Sequence, residues 1–292
     1  MTRRIWALPT GKVAFAILAL VAVLAVFGPL LAPHDPLAGS TTTLAGPSGG
    51  HWLGTDYLGR DVLSRLLDGS RTSIVGSLEV ALVALFAGAV PGIASVYLGR
   101  VFEWSVLRLT DTLISLPFLV FAVAVTALLG NGITQAMFVV GVLVSPLFFR
   151  VSRAATLAVA RSQYVEAALI SGASFGQIVR RHVWAKVLPA IGVALAQTIG
   201  IGFVVVSSLT FLGVGVQPPA PTWGGLLASD LGYLDYQPWA PAVPALLIMG
   251  TVSGCNLLAD ALRDVQTVRE VKSVTDPRTV LDQAEPPRGG LA

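Results

Sequence analysis

Residues 106–149 read VLRLTDTLISLPFLVFAVAVTALLGNGITQAMFVVGVLVSPLFF. Two long apolar runs, Val106–Leu129 and Ile133–Phe149, are parted only by Asn131 and its flanking glycines. A helix that crosses a bilayer needs about 20 mostly apolar residues, so this stretch predicts two spans joined in a tight hairpin. Working outward, four more stretches have the required length: Val13–Leu31, Ser73–Leu98, Ala190–Leu212 and Trp239–Ala259. The expected fold class is all-α, a polytopic membrane protein with six transmembrane helices. Arg3, Arg4 and Lys12 precede the first run as in a secretory signal. That run is longer than a signal's apolar region, however, and Pro29 and Pro33 stand where a cleavage site would fall, so it is kept as a span.

Composition leads to the same class. Of 292 residues, 54% are hydrophobic and 12% charged, whereas soluble domains carry about 25% charged residues. So few charges cannot coat a soluble globule of this size. The single cysteine, Cys255, excludes an intramolecular disulfide and a cysteine-based metal cluster. Basic residues also set orientation, because cytoplasmic segments are enriched in Lys and Arg. With the N-terminus inside, sixteen of the nineteen Lys and Arg residues are cytoplasmic, and only Arg60, Arg65 and Arg71 lie outside. Both termini are therefore expected in the cytoplasm of a multi-pass inner-membrane protein. The pI near 9.3 then reflects membrane orientation rather than nucleic-acid binding.

The chain divides into a cytoplasmic N-terminus (1–12), the first span (13–31), an extracytoplasmic segment (32–72), a five-span core (73–264) and a cytoplasmic tail (265–292). Within 32–72, Val62, Leu63, Leu66 and Leu67 share one helical face. Arg60, Asp61, Ser64, Arg65 and Asp68 share the other, with Asp61 and Arg65 in acid-first i,i+4 order. Such a helix suits the interface plane or a cap on the bundle. Residues 157–188 form the one sizeable cytoplasmic loop. They read as a helix over 162–171 that stops at Gly172, which accepts positive φ freely. A second helix then starts at Ser174, with Gln177 in capping-box position. Two short helices cannot bury both faces alone, so this pair calls for a protein partner.

Family features appear at this loop. YVEAALISGASFGQIVRRHVWAKVLP (164–189) resembles the EAA motif of ABC-importer permeases. HWLGTDYLGRDVLSRLLDGSR (51–71), LTFLGVGVQPPAPTWGGLL (209–227) and NLLADALRD (256–264) resemble the C-type permease of the dipeptide, oligopeptide and nickel importers. The family runs directly into Asp-Pro after the last motif, whereas here Asp276-Pro277 comes a dozen residues later. The resemblance implies a type I ABC-importer permease fold and a non-catalytic subunit that pairs with a homologous B-type permease in the lipid bilayer. It further implies two cytoplasmic ATPases, which carry the ATP and Mg, and an extracytoplasmic peptide-binding protein. Glu166, Ala167, Ala168, Gly172, Ser174, Ile178, Arg181 and His182 are the implied ATPase-coupling residues. Di- or oligopeptides are the implied cargo, with nickel chelates or another small solute as the alternative.

Other chemistries find little support. No GxxxxGK[ST] surrounds Lys12, Lys186 or Lys272, so a phosphate-cradling loop is missing. No cofactor is expected in this chain. His34, His51 and His182 lie on separate segments without HExxH, so no metal site is expected. A self-contained secondary transporter, the reading from another class, calls for midplane carboxylates or discontinuous helices around an ion. Only Glu79 and Asp111 are acidic within the predicted spans. Glu79 is a candidate for the translocation pathway, with pairing at a subunit interface or outward snorkelling as alternatives. Asp111 has Arg108 three residues before it, the spacing of a helical pair. Gln197, Gly192, Gly200 and Gly202 suit close contact with a sister permease. Cys255 reads as a small packed residue, and Trp223 as an anchor at the membrane interface.

Overall fold

In the computed structural model, residues 8–130, 132–160, 162, 165, 172, 177 and 183–274 are described. Eight helices follow in order among them: α1 (Pro9–Leu31), α2 (Val62–Ala94), α3 (Arg100–Ser115), α4 (Phe118–Leu129), α5 (Ile133–Ala160), α6 (Trp184–Phe211), α7 (Trp223–Leu231) and α8 (Trp239–Val274). Helices α1, α2, α5, α6 and α8 are each long and apolar enough to cross a membrane. The third expected span, Val106–Leu129, is not one straight helix. Its two halves, α3 and α4, meet at 99°. Pro117 disfavours helical backbone at the residue before it, and Leu116 is extended at φ −74°, ψ 139°. The bundle therefore has six spans only if this bent pair is counted as one.

The second expected span also begins earlier than its hydropathy suggests. Its 33 residues measure about 50 Å at 1.5 Å per residue. The amphipathic stretch from Val62 is the start of this same helix rather than a separate one lying in the interface plane. Helix α2 sits at the centre of the bundle and packs on α1, α5, α6 and α7.

The α2–α5 seam is made of small residues. Gly88 and Gly92, four apart on α2, lie directly on α5. A Cβ at Gly88 would stand 2.7 Å from the Phe148 Cβ, and one at Gly92 would stand 2.7 Å from the Phe149 carbonyl oxygen. From the other side, Gly141 of α5 admits Val83. Lipid gives helices no hydrophobic reason to associate, so close backbone approach and the dispersion contacts it permits supply the attraction. The α6 glycines work the same way inside this chain. A Cβ at Gly200 would meet the Cys255 Cβ of α8 at 3.3 Å, and one at Gly202 would meet the Ser77 carbonyl oxygen of α2 at 3.2 Å. These two glycines thus serve internal packing rather than a sister subunit, whereas Gly192 faces open space. Cys255 is buried, as expected.

Candidate functional site

The ends of the 157–188 loop are anchored on the bundle. Val159 near the end of α5, Val165 in the loop, and Val183, Val187 and Ile191 at the start of α6 are all buried. They join one apolar cluster with Ala84, Ala89 and Ile93 of α2 and Phe148 of α5. Gly172 is exposed and adopts φ +80°, with nothing within 4 Å of a Cβ built there. The positive φ is the conformation that glycine accepts freely, and the helix expected before it lies mostly outside the described residues. Glu166, Ala167, Ala168, Ser174, Ile178, Arg181 and His182 lie outside the described residues.

Helix α3 crosses α5 near its loop end and is held there by charge. Arg153 of α5 donates to Glu103. Asp111 lies 3.9 Å from Arg108, the expected partner, and 3.6 Å from Arg150 of α5. Glu79 is half-buried on α2 and makes no ion pair among the described residues.

The opposite end of α2 holds a polar construction that sequence reasoning missed. Asp61 and Arg65 were expected to pair, yet Asp61 is used as the N-cap of α2. Its Oδ2 accepts from the Ser64 N–H at 2.8 Å and the Ser64 hydroxyl at 2.6 Å. Its Oδ1 lies 2.9 Å from Nδ1 of His51. Burial by itself would raise the Asp61 carboxyl. The hydrogen bonds from the Ser64 side chain, His51 and the Ser64 backbone outweigh it and hold the group below the usual range. Arg65 turns instead to Asp56, with Nε 3.5 Å from Oδ2, and Arg60 Nε reaches the same oxygen at 2.7 Å. The second acid-first i,i+4 pair, Asp56 with Arg60, is the one that forms.

All three side chains of this cluster are at most 7% exposed. Oδ1 of Asp56 accepts from the Leu58 and Arg60 N–H groups at 2.8 and 2.9 Å. Asp230 of α7 completes the cluster. Its carboxyl is pushed up to about 6, first by burial and then by the charge of Asp56, against the Ser229 hydrogen bond and the pull of Arg65 and Arg60.

This end is tied across the chain. Trp223 is fully buried instead of anchoring at the membrane interface. Its indole donates to the Leu66 carbonyl at 3.0 Å, and its backbone N–H donates to the Ser73 hydroxyl at 3.0 Å. Gln237 donates to the carbonyls of Ala45 and Thr55 at 2.6 and 3.0 Å, and Trp239 to that of Leu53 at 3.2 Å. His34 and His51, expected to stand apart, have ring centroids 4.8 Å from each other. The signal available for this cluster was the Asp56–Arg60 spacing. The distant partners carried none.

Known proteins resemble this chain in sequence. The chain is 35% identical over 258 residues to the Escherichia coli K12 protein named "Probable D,D-dipeptide transport system permease protein DdpC", covering 88% of this chain and 87% of that one. It is 36% identical over 219 residues to the glutathione transport system permease protein GsiD of Pectobacterium atrosepticum, covering 75% and 73%. It is 30% identical over 243 residues to the dipeptide transport system permease protein DppC of Alkalihalophilus pseudofirmus, covering 83% and 80%. A family model, the binding-protein-dependent transport system inner membrane component, matches residues 69–269, from α2 through most of α8. Sequence match and helical bundle agree, and the chain belongs to this family of polytopic inner-membrane permease subunits.

Proposed function

We propose that this chain is one of two homologous transmembrane subunits of an ATP-driven importer of di- and oligopeptides. The observation that carries the reading is likeness along most of the chain to permeases whose names give D,D-dipeptide, dipeptide and glutathione as cargo. All three cargoes are short peptides. In this reading the chain is non-catalytic. ATP with Mg is bound and hydrolysed by two partner ATPases, which accords with the missing phosphate-binding loop. The 157–188 loop, carrying Glu166, Ala167, Ala168 and Gly172, receives their motion, and an extracytoplasmic binding protein delivers the peptide. Glu79 faces the pathway and meets the cationic amino terminus of the cargo. Both termini are cytoplasmic, a reading supported by the sixteen-to-three division of basic residues.

Two measurements test this. With Cys255 replaced, a cysteine at position 48 labels with an impermeant thiol reagent in intact cells, and one at position 174 labels only after permeabilisation. External labelling at 174 reverses the topology and removes the coupling role. Deletion of the gene abolishes uptake of a labelled dipeptide and leaves amino-acid uptake unchanged. If dipeptide uptake survives in a strain without other peptide importers, the cargo assignment is wrong.

A further inference from the structure

We propose that His34, His51 and Asp61 form a binding site for a zinc-class divalent cation at the N-terminal end of α2. Two imidazole nitrogens and a carboxylate oxygen, all within 4.8 Å of one another, converge there from three separate pieces of chain. Nδ1 of His51 is 2.9 Å from Oδ1 of Asp61, and Nδ1 of His34 is 3.8 Å from Oδ2. Zinc bonds to His and Asp are about 2.0–2.2 Å, so tetrahedral geometry separates such donors by roughly 3.3 Å. His51 stands slightly closer than that to Oδ1 and His34 slightly farther than that from Oδ2, and the three donor atoms together lie within 4.8 Å, wider than a closed site. His34, whose side chain is 44% exposed, closes the difference by rotating about its own side-chain bonds. Its exposure also leaves the fourth coordination position to water.

The surroundings suit a metal ligand. The hydroxyl and N–H of Ser64 hold Oδ2 of Asp61 in place, and the N–H of His34 donates to the same hydroxyl at 3.0 Å. One serine thus orients the carboxylate and tethers the segment bearing His34, as hydrogen-bonding groups behind a metal ligand do. The donor set of two nitrogens and one oxygen favours zinc over calcium or magnesium, which take oxygen ligands. Bound there, the ion cross-links the residues after α1, the loop before Leu53 and the first turn of α2. The inference does not depend on the peptide-transport reading.

The test uses the full chain in nanodiscs, purified without a histidine tag. Cobalt(II) is added as a spectroscopic stand-in and then displaced by zinc. The expected result is one equivalent of cobalt with the intense visible absorption of a tetrahedral centre, bleached by zinc. His34→Ala and His51→Ala each weaken binding by at least about tenfold, whereas His182→Ala binds like the parent. His34→Ala keeps the metal-free melting temperature of the parent, because its side chain is half in solvent. Zinc also slows proteolysis of the 35–50 segment in the parent and leaves the rate unchanged in His34→Ala. Lack of saturable binding to the parent, or binding that survives both His34→Ala and His51→Ala, overturns the proposal.

Discussion

The two ends of α2 are built on opposite principles. Toward Ala94 the helix meets α5 through Gly88 and Gly92, with backbone against backbone and no charge in the seam. Toward Val62 it is surrounded by Asp56, Arg60, Arg65 and Asp230, all buried. The first end is stabilised by shape, so its weakness is added volume. The second is stabilised by mutual neutralisation of desolvated charges, so its weakness is the loss of one partner. One continuous helix can carry both because the glycine end lies deep in the apolar bundle. The charged end is roofed by the 32–61 segment and by α7, which supply acceptors that hydrocarbon could not.

Breaking the charged end has the largest expected effect. Asp56→Ala leaves two buried guanidinium groups with Asp230 as the one remaining carboxyl of the cluster, and leaving a buried charge unpaired costs about 3–5 kcal/mol. The expected outcome is a large fall in the detergent melting temperature. Asp56→Asn loses less, since it keeps an acceptor for the Leu58 and Arg60 N–H groups. A melting temperature unchanged in Asp56→Ala would mean the cluster adds nothing to stability. Next comes the glycine end. Gly88→Leu forces backbone apart, for which overpacking costs about 1–3 kcal/mol, here at the upper limit because the obstruction includes the Ser145 carbonyl. Gly250→Leu is the control, since a Cβ at Gly250 meets nothing within 4 Å. Equal stability of the two variants would dissolve the contrast.

A pH titration sharpens the comparison at a smaller scale. The folded-state pKa of Asp230, about 6, stands above its ordinary value of 3.8. Between these values the unfolded chain has released a proton that the folded one retains, so stability falls as pH rises through that window. The expected loss is on the order of 3 kcal/mol, and Asp230→Asn removes it. Asp61, shifted the other way, loses its contribution only on acidification below the ordinary carboxylate range. A melting curve for Asp230→Asn with the same pH slope as the parent would refute the assignment. The smallest effect is at Gly172. Gly172→Val places a side chain at φ +80° in open space, a local cost of about 1 kcal/mol, so folding survives and ATPase co-purification falls. Gly130→Val, at φ +107° and also open, carries the same backbone cost at the far end of α5 and leaves co-purification intact. Identical behaviour of the two would make Gly172 a mere turn.

The spans were legible because apolar length alone decides whether a segment can cross a bilayer. The elbow at Leu116 was not read, because hydropathy counts residues and not their direction, although the Leu116-Pro117 pair carried the signal. The face pattern at 60–68 was also real, but polar residues were assigned to water. Their actual partners, such as Asp230 and the Pro36 and Pro219 carbonyls near Arg65, are remote in sequence, and helical spacing reports only neighbours. Trp223 misled for the same reason. Its indole meets a carbonyl 157 positions away. In the 157–188 loop, the positive φ of Gly172 was legible because backbone conformation at glycine is a local property.

The elbow between α3 and α4 constrains what can surround the subunit. Helix α4 has 12 residues, about 18 Å at helical rise, shorter than the roughly 30 Å hydrocarbon core. At the elbow Ser115 turns its hydroxyl back to the Thr112 carbonyl at 2.8 Å, and α4 begins with no side-chain cap. The remaining end groups of both helices require donors and acceptors that acyl chains lack. Yet Ile114, Leu119 and Val120 leave this flank open in the single chain. The elbow thus puts helix-end groups, which acyl chains cannot satisfy, on a flank whose neighbouring apolar side chains are exposed in the single chain.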